Sequence, residues 1–147
     1  MSNNELGVEV TGALGYLLKH AHLKLDALAS AELAPLGIGP RELGVMRVLA
    51  SREPTSQQDV ARMLEVDRTT MVALIDGLEA KGIVSRTPSQ ADRRRNVVTL
   101  TPAGLKLLTK AAVASERANR QLLMPLTASA AEQLRAALHH VVTGERP

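Results

Sequence analysis

The apolar positions of this chain recur at three- and four-residue spacing over long stretches, a pattern that predicts amphipathic helices. The first stretch runs from about residue 8 to residue 34. Its apolar stripe consists of Leu14, Leu18, Ala21, Leu25 and Leu28. Such a stripe packs either on the core of its own chain or on a second copy of the chain, and the spacing leaves both alternatives open.

Prolines mark the helix boundaries in the next part of the chain. The segment from Pro35 to Pro40 contains two glycines and ends the first helix. Pro40 suits the first position of a second helix, which we expect to run from Pro40 to Ser51. Glu53–Pro54 then closes that element.

Two short helices follow, separated by a turn of about three residues. Thr55 with Gln58 has the form of a capping box, which places a helix over about residues 56–64. Asp67 is suited to cap the next helix, and Gly82 can supply the left-handed residue at its end. The apolar face of this second helix is formed by Met71, Leu74, Ile75 and Leu78. Helices joined by so short a turn cross steeply, so the pair is predicted to be a helix-turn-helix.

A basic hairpin is predicted directly after Gly82. Residues 83–87 and 96–100 are rich in β-branched side chains and flank a polar tip, which is typical of two antiparallel strands. Four arginines but only one acid, Asp92, fall within residues 86–95. Clustered arginines repel one another unless an anion completes the site, and the minor groove of DNA offers a strong anionic potential. Thr101–Pro102 then begins a long helix that reaches about residue 123.

The order of these elements predicts a fold that is mainly α with a small β-wing. A winged helix-turn-helix over residues 35–101 is flanked by an N-terminal dimerisation helix, 1–34, and by C-terminal dimerisation helices, 102–147. One helix-turn-helix buries too little surface for tight specific binding, and half-sites about 34 Å apart need a two-fold partner. We therefore expect a homodimer, held in part by the apolar C-terminal positions Leu122, Leu123, Leu126, Leu134, Leu138, Val141 and Val142.

Candidate contacts to double-stranded DNA lie at the start of the second helix of the pair and on the hairpin. Arginine can fork onto guanine, a threonine hydroxyl can bond a phosphate or a base edge, and small apolar side chains can meet a thymine methyl. The predicted DNA-binding residues are Ser56, Gln57, Arg68, Thr69, Thr70, Val72, Ala73, Arg86, Asp92, Arg93, Arg94 and Arg95. Alternatively, Thr69 and Thr70 serve only the helix cap.

Composition excludes several other classes. The 45% apolar content argues against disorder, and with Tyr16 as the only aromatic residue we do not expect single strands to bind by base stacking. The absence of cysteine excludes disulfides, thiolate catalysis, cysteine zinc sites and thiol redox sensing. The sequence has neither a signal-peptide pattern nor about 18 consecutive apolar residues, so we expect a cytoplasmic protein without membrane contact. No cofactor is expected.

The segment from Leu64 to Val84 is similar to the recognition-helix region of the MarR (multiple antibiotic resistance regulator) family of winged-helix repressors. Asp92-x-Arg94, followed after five residues by Leu100–Thr101, matches that family's wing signature. The Thr-Pro-x-Gly stretch at 101–104 also resembles the family. The resemblance covers essentially the whole chain, because the terminal helices fall where the family has its dimerisation region.

The resemblance implies a triangular homodimer with recognition helices in successive major grooves and wings in the flanking minor grooves. It implies further that Asp92 orients Arg94 and that Arg94 enters the minor groove. The chain departs from the family at Glu65, where glycine is frequent, and at Val72 and Ala73, which replace serine and arginine. Specificity is therefore expected to depend on Arg68, the threonines, methyl contacts and DNA shape.

Family resemblance also implies repression that a small phenolic or anionic effector relieves. Tyr16, His20 and Lys24 follow one another on one face of the first helix, with Met46 or Arg47 as candidates for the wall behind them. The alternative is that Tyr16 packs in the dimer interface and His20 is solvated. His20-x-His22 and His139–His140 lack the spacing for metal ligation on one helix face, so no metal site is expected.

Two other classes of function compete with a DNA-binding regulator. An enzyme would need a nucleophile elbow, a glycine-rich phosphate loop or a carboxylate–histidine cluster, and the sequence contains none of these motifs. A winged helix can also serve as a protein-interaction module. Such a module would lack salt-dependent affinity for DNA, whereas in a repressor the loss of Arg94 would weaken binding and lower its salt dependence.

Overall fold

The computed structural model describes residues 10–51 and 55–146 and confirms a mainly helical fold with a small β-wing. The elements in chain order are α1 (Leu14–Leu33), a 3-10 turn (Ala34–Leu36), α2 (Pro40–Ala50), β1 (Thr55–Ser56), α3 (Gln57–Met63), α4 (Arg68–Ala80), β2 (Val84–Pro88), β3 (Asn96–Leu100), α5 (Pro102–Leu123) and α6 (Ala128–Thr143). The predicted helix start near residue 8 and the predicted closure of α2 by Glu53–Pro54 lie outside the described residues.

The chain divides into two compact units. One unit takes in the chain up to Leu28 and again from Arg117, and the other unit is Ala29–Glu116. The predicted domain borders at 34/35 and 101/102 stay predictions; the compact units divide at other positions because the ends of α1 and α5 add buried side chains to the second unit. Among these are Leu33 and Ala111, each with 0% of its surface exposed.

The second unit is a winged helix-turn-helix built around one apolar core. The predicted inner face of α4 is confirmed for Met71, Ile75 and Leu78, which are fully buried, whereas Leu74 is half-buried. Val60 from α3 is also fully buried against this core. Because the apolar face of α4 packs against the core, its polar N-terminal residues remain at the surface.

The three strands form one antiparallel sheet in the order β1-β3-β2. The hairpin is confirmed: Val84 pairs with Leu100 at its root and Pro88 with Asn96 near its tip. The third strand was missed by the sequence prediction. β1 is only two residues long, with Thr55 opposite Val98, so it leaves too short a pattern to detect.

The cap of α3 lies one residue later than the sequence predicted. Ser56, not Thr55, is the N-cap, and its Oγ accepts the Asp59 backbone N–H at 3.2 Å. Ser56 Oγ also donates to Asp59 Oδ2 at 2.7 Å. The capping partner is therefore Asp59 instead of Gln58, because Thr55 is taken into the sheet.

The turn between α3 and α4 holds Glu65 in the left-handed region, with φ of 52°. Here the Val66 N–H donates to Ala61 O and the Glu65 N–H to Arg62 O, the bonding pattern of a Schellman motif. Glycine is the residue that adopts this conformation without strain, so the family's frequent glycine has a clear physical reason at this position.

Glu65→Gly is expected to raise the free energy of unfolding by about 0.5–1 kcal/mol. The strain relieved is about 1–2 kcal/mol, and the greater freedom of glycine in the unfolded chain offsets part of it. Urea denaturation of the two proteins measures the difference. Glu65→Ala is the control, because it removes the same side chain but keeps the strained backbone. An equal gain in both variants would show that the side chain, not φ, is responsible.

The start of α5 approaches the hairpin root closely. Thr101 Oγ1 accepts the Gly104 backbone N–H at 3.0 Å, which confirms the predicted cap. Thr101 Oγ1 also lies 2.6 Å from Gly82 O, and the Thr101 N–H donates to Ile83 O at 3.0 Å. A Cβ added at Gly104 would lie 2.2 Å from Ile83 O, so this contact requires glycine.

Within the described residues, none of the helices combines the length and apolar character needed to cross a lipid bilayer.

Candidate nucleic-acid interface

The N-terminus of α4 is exposed and is fixed by Asp67. The Thr70 backbone N–H donates to Asp67 Oδ1 at 2.9 Å, and the Thr70 hydroxyl donates to Asp67 Oδ2 at 2.6 Å. Thr70 therefore serves the cap, as the alternative reading of the threonines anticipated. Arg68, Thr69 and Ala73 are exposed, and Val72 is half-buried.

Two hydrogen bonds from Thr70 hold the pKa of Asp67 below its ordinary value of 3.8. The bond from the Thr70 hydroxyl has the larger effect, and the bond from the Thr70 backbone N–H the smaller. A carboxyl whose pKa is lower in the folded state stabilises the fold above its ordinary pKa, and this stabilisation is lost as pH falls through the folded value.

We therefore expect the melting temperature of the wild type to exceed that of Asp67→Ala at neutral pH and the difference to shrink below about pH 4. The protonated carboxyl is a poorer acceptor for the Thr70 backbone N–H. Thermal melts of both proteins across pH measure the effect. Asp67→Asn is the matched control, since its amide oxygen caps the helix without titrating. A difference that is independent of pH would contradict this role for the carboxylate.

The wing tip between β2 and β3 is an ordered turn that presents arginines. Ser89 N–H donates to Arg95 O at 2.8 Å, and the Arg94 backbone N–H donates to Asp92 Oδ1 at 3.0 Å. Asp92 thus fixes the main chain of Arg94, while its other carboxylate oxygen lies 4.0 Å from Arg95 Nε. The side chains of residues 93–95 are exposed.

A cleft of about 130 Å³ joins the start of α4 to the wing. Its lining residues are Ser56, Gln57, Gln58, Arg68, Arg94, Arg95 and Asn96. Side chains that are far apart in sequence therefore converge on one polar surface of the winged-helix unit. Gln58 and Asn96 were missed as site residues; Asn96 directly follows the arginine run, which could have indicated it.

The structure places Arg86 differently from the prediction. Its side chain is 17% exposed, and its guanidinium forms ion pairs with Asp76 and Glu79 on α4. Arg86 therefore bonds within the winged-helix unit and does not line the cleft. Arg86 was predicted to bind DNA together with the wing-tip arginines because it lies in the same basic segment of the sequence.

The predicted effector residues lie in both units. Tyr16 and His20 stack with ring centroids 3.9 Å apart, and Lys24 is exposed. In the other unit, Met46 has 0% of its surface exposed, so in this conformation it belongs to the core and cannot touch a ligand. Arg47 Nη2 donates to Ser115 Oγ at 3.0 Å, which ties α2 to α5. Across the described residues, no group of three possible metal ligands is found.

A model of the MarR family matches residues 36–95 of this chain. The chain is 32% identical over 123 residues to an HTH-type transcriptional repressor of Mycobacterium tuberculosis, an alignment that covers 84% of this chain and 88% of that protein. A solved structure of that protein in complex with p-aminosalicylic acid matches with a TM-score of 0.75 at 29% identity, covering 88% of this chain and 98% of the other.

The structure of the transcriptional repressor CouR bound to a 23-mer DNA duplex matches with a TM-score of 0.84 at 29% identity, covering 91% of this chain and 95% of that chain. The HTH-type transcriptional repressor NicR of Pseudomonas putida is 27% identical over 100 residues. That alignment covers 68% of this chain but less than two thirds, 63%, of NicR.

Proposed function

The chain belongs to the MarR family, and on that premise we propose that it is a transcriptional regulator that binds specific double-stranded DNA. The main support for the proposal is the shared cleft, which is lined by Arg68 from the start of α4 and by Arg94 and Arg95 from the wing. The side chains of Arg68, Arg94 and Arg95 are all exposed, so they are available to a partner. An anionic partner of matching shape completes the site.

The arrangement suits a duplex because adjacent major and minor grooves are separated by one sugar–phosphate strand. With the start of α4 in the major groove and the wing in the next minor groove, that strand passes over the cleft between them. Arg68 is then placed to fork onto guanine and Arg94 to enter the minor groove. Ser56 and Gln57 line the cleft, and we propose that they contact the passing phosphates. We propose that Thr69 and Ala73, which are exposed, and Val72, which is half-buried, contact the bases.

We propose that the regulator works as a homodimer on a pseudo-palindromic operator. Large apolar side chains are exposed in the terminal regions of the isolated chain, among them Leu14 at 72%, Met124 at 75% and Val142 at 83%. Not one residue of α6 is buried. Apolar surface of this extent is typical of a protein–protein interface, which supports a second copy as the partner.

Replacing Leu134 and Leu138 on α6 by aspartate is therefore expected to convert dimers to monomers and to abolish operator binding. Each side chain is 39% exposed in the single chain, so the protomer itself should remain folded. Sedimentation velocity and circular dichroism test the two statements separately. Gln133→Asp, an exposed change on the same helix, is the control and should stay dimeric. A doubly substituted protein that remains dimeric would exclude this helix from the interface.

We further propose that the protein represses transcription in the cytoplasm and that a small phenolic or anionic effector releases it from DNA. The M. tuberculosis relative with bound p-aminosalicylic acid supports this ligand class. In this chain, the stacked pair of Tyr16 and His20 with the nearby Lys24 offers an aromatic surface and a cation of suitable chemistry.

The test is selection of genomic fragments by the purified protein, followed by binding titrations of the selected fragment. We expect one short, two-fold-related sequence to be enriched, with affinity that falls steeply as salt rises. Repeating the titration with aromatic acids identifies an effector by the loss of binding. No enrichment over random fragments would overturn the proposal and favour a protein-interaction module.

A further inference from the structure

Arg86, in the middle of β2, is tied to the recognition helix α4 through both its side chain and its main chain. Its Nη1 lies 2.6 Å from Asp76 Oδ1 and 3.3 Å from Glu79 Oε1. The other oxygen of Glu79, Oε2, accepts the Arg86 backbone N–H at 3.2 Å. The middle of β2 and the C-terminal half of α4 are therefore joined by charge-assisted bonds.

The same guanidinium reaches a third element, the first residue of α3. Arg86 Nε and Nη2 donate to Gln57 Oε1 at 3.3 and 3.0 Å. Arginine has only donors, so the Gln57 atom that it meets must be the oxygen. This fixes the orientation of the Gln57 amide, because its oxygen faces Arg86 and its nitrogen does not bond to Arg86. The Gln57 side chain also lines the cleft.

Arg86 also compensates acidic charge on the helix proposed to enter the major groove. The side chains of Asp76 and Glu79 are 59% and 44% exposed. Without Arg86, two uncompensated carboxylates would stand on α4 and repel the phosphates of a bound duplex.

We propose that Arg86 is a positioning residue for DNA binding. It joins the middle of β2, the recognition helix and Gln57 into one network and compensates two carboxylates, and it does so without touching the DNA. This inference rests on the proposed function, and it assigns to Arg86 a role opposite to that of Arg93, Arg94 and Arg95, whose charges face outward.

A double-mutant cycle separates positioning from direct contact. Arg86→Gln is made in the unaltered protein and in an Asp76→Asn/Glu79→Gln background. The affinity of each protein for the selected operator duplex is measured by fluorescence anisotropy. We expect Arg86→Gln to weaken binding about tenfold in the unaltered protein but less than about twofold in the neutral background, where no carboxylates remain to be compensated. Arg93→Gln is the matched control and should weaken binding equally in both backgrounds.

Equal losses in both backgrounds would show that compensation of the two carboxylates plays no part in the effect of Arg86, and no loss in either would show that the network has no role; both overturn the inference. If Arg86→Gln does not fold, Arg86→Lys takes its place, since lysine keeps the charge but cannot bridge three partners, and an intermediate loss is expected.

Amide hydrogen exchange on the free protein separates this inference from the proposed function. Arg86→Gln should accelerate exchange over residues 84–100 relative to α2, whether or not the protein binds a duplex. Unchanged exchange would overturn the network itself, whereas accelerated exchange without any duplex binding by the unaltered protein would reject only the DNA-binding role.

Discussion

Replacing Arg68 and Arg94 together by alanine is expected to lower affinity for the selected operator about a thousandfold. Each arginine–base contact contributes about 1–3 kcal/mol, and a homodimer loses each contact twice, so at least about 4 kcal/mol is lost. Both side chains are exposed and line the cleft, so their removal should leave the fold intact. Anisotropy titrations measure the affinity, and circular dichroism confirms the fold.

The control for this prediction removes the same net charge elsewhere on the winged-helix unit. Arg41 and Lys106 are exposed but do not line the cleft, so the Arg41→Ala/Lys106→Ala variant should bind within about threefold of the wild type. If both double variants lost affinity equally, binding would depend on overall charge and not on the two proposed contacts.

Gly104→Ala is expected to destabilise the winged-helix unit by about 3 kcal/mol. The new Cβ would lie 2.2 Å from Ile83 O, a backbone atom that already accepts the Thr101 N–H. The start of α5 must therefore move away from the hairpin root, which disturbs the Thr101 cap and the wing together. Urea unfolding measures the loss of stability, and duplex binding should weaken with it.

Gly44→Ala is the matched control for that substitution. A Cβ at Gly44, inside α2, meets only Leu64 Cδ2 at 3.9 Å, which is ordinary contact. Alanine is the better helix former, so this variant should be neutral or more stable by up to about 1 kcal/mol. A Gly104→Ala protein as stable as Gly44→Ala would show that the close approach of α5 to Ile83 is not a feature of the native fold.

The helix-turn-helix and the wing could be predicted because their signals are local. The spacing of Met71, Ile75 and Leu78, the cap at Asp67 and the left-handed Gly82, with φ of 73°, all lie within one short segment. Propensity and tertiary packing agree there, so the sequence pattern and the structure coincide.

The features that could not be predicted depend on contacts between distant elements. The Arg86 network joins Gln57, Asp76 and Glu79, and their meeting point exists only once α3, α4 and β2 have packed. β1 forms for the same reason: its two residues become a strand only because β3 lies beside them. The wrong cap at Thr55 follows from this missed strand.

In the proposed complex, the start of α4 and the wing occupy neighbouring grooves of one duplex. Methylation protection on the selected operator tests it most directly, because the reagent attacks guanine N7 in the major groove and adenine N3 in the minor groove. We expect protection in both grooves about half a helical turn apart, with Arg68→Ala exposing only the guanines and Arg94→Ala only the adenines. Protection in one groove alone, or loss of both protections with either substitution, would contradict this placement of α4 and the wing.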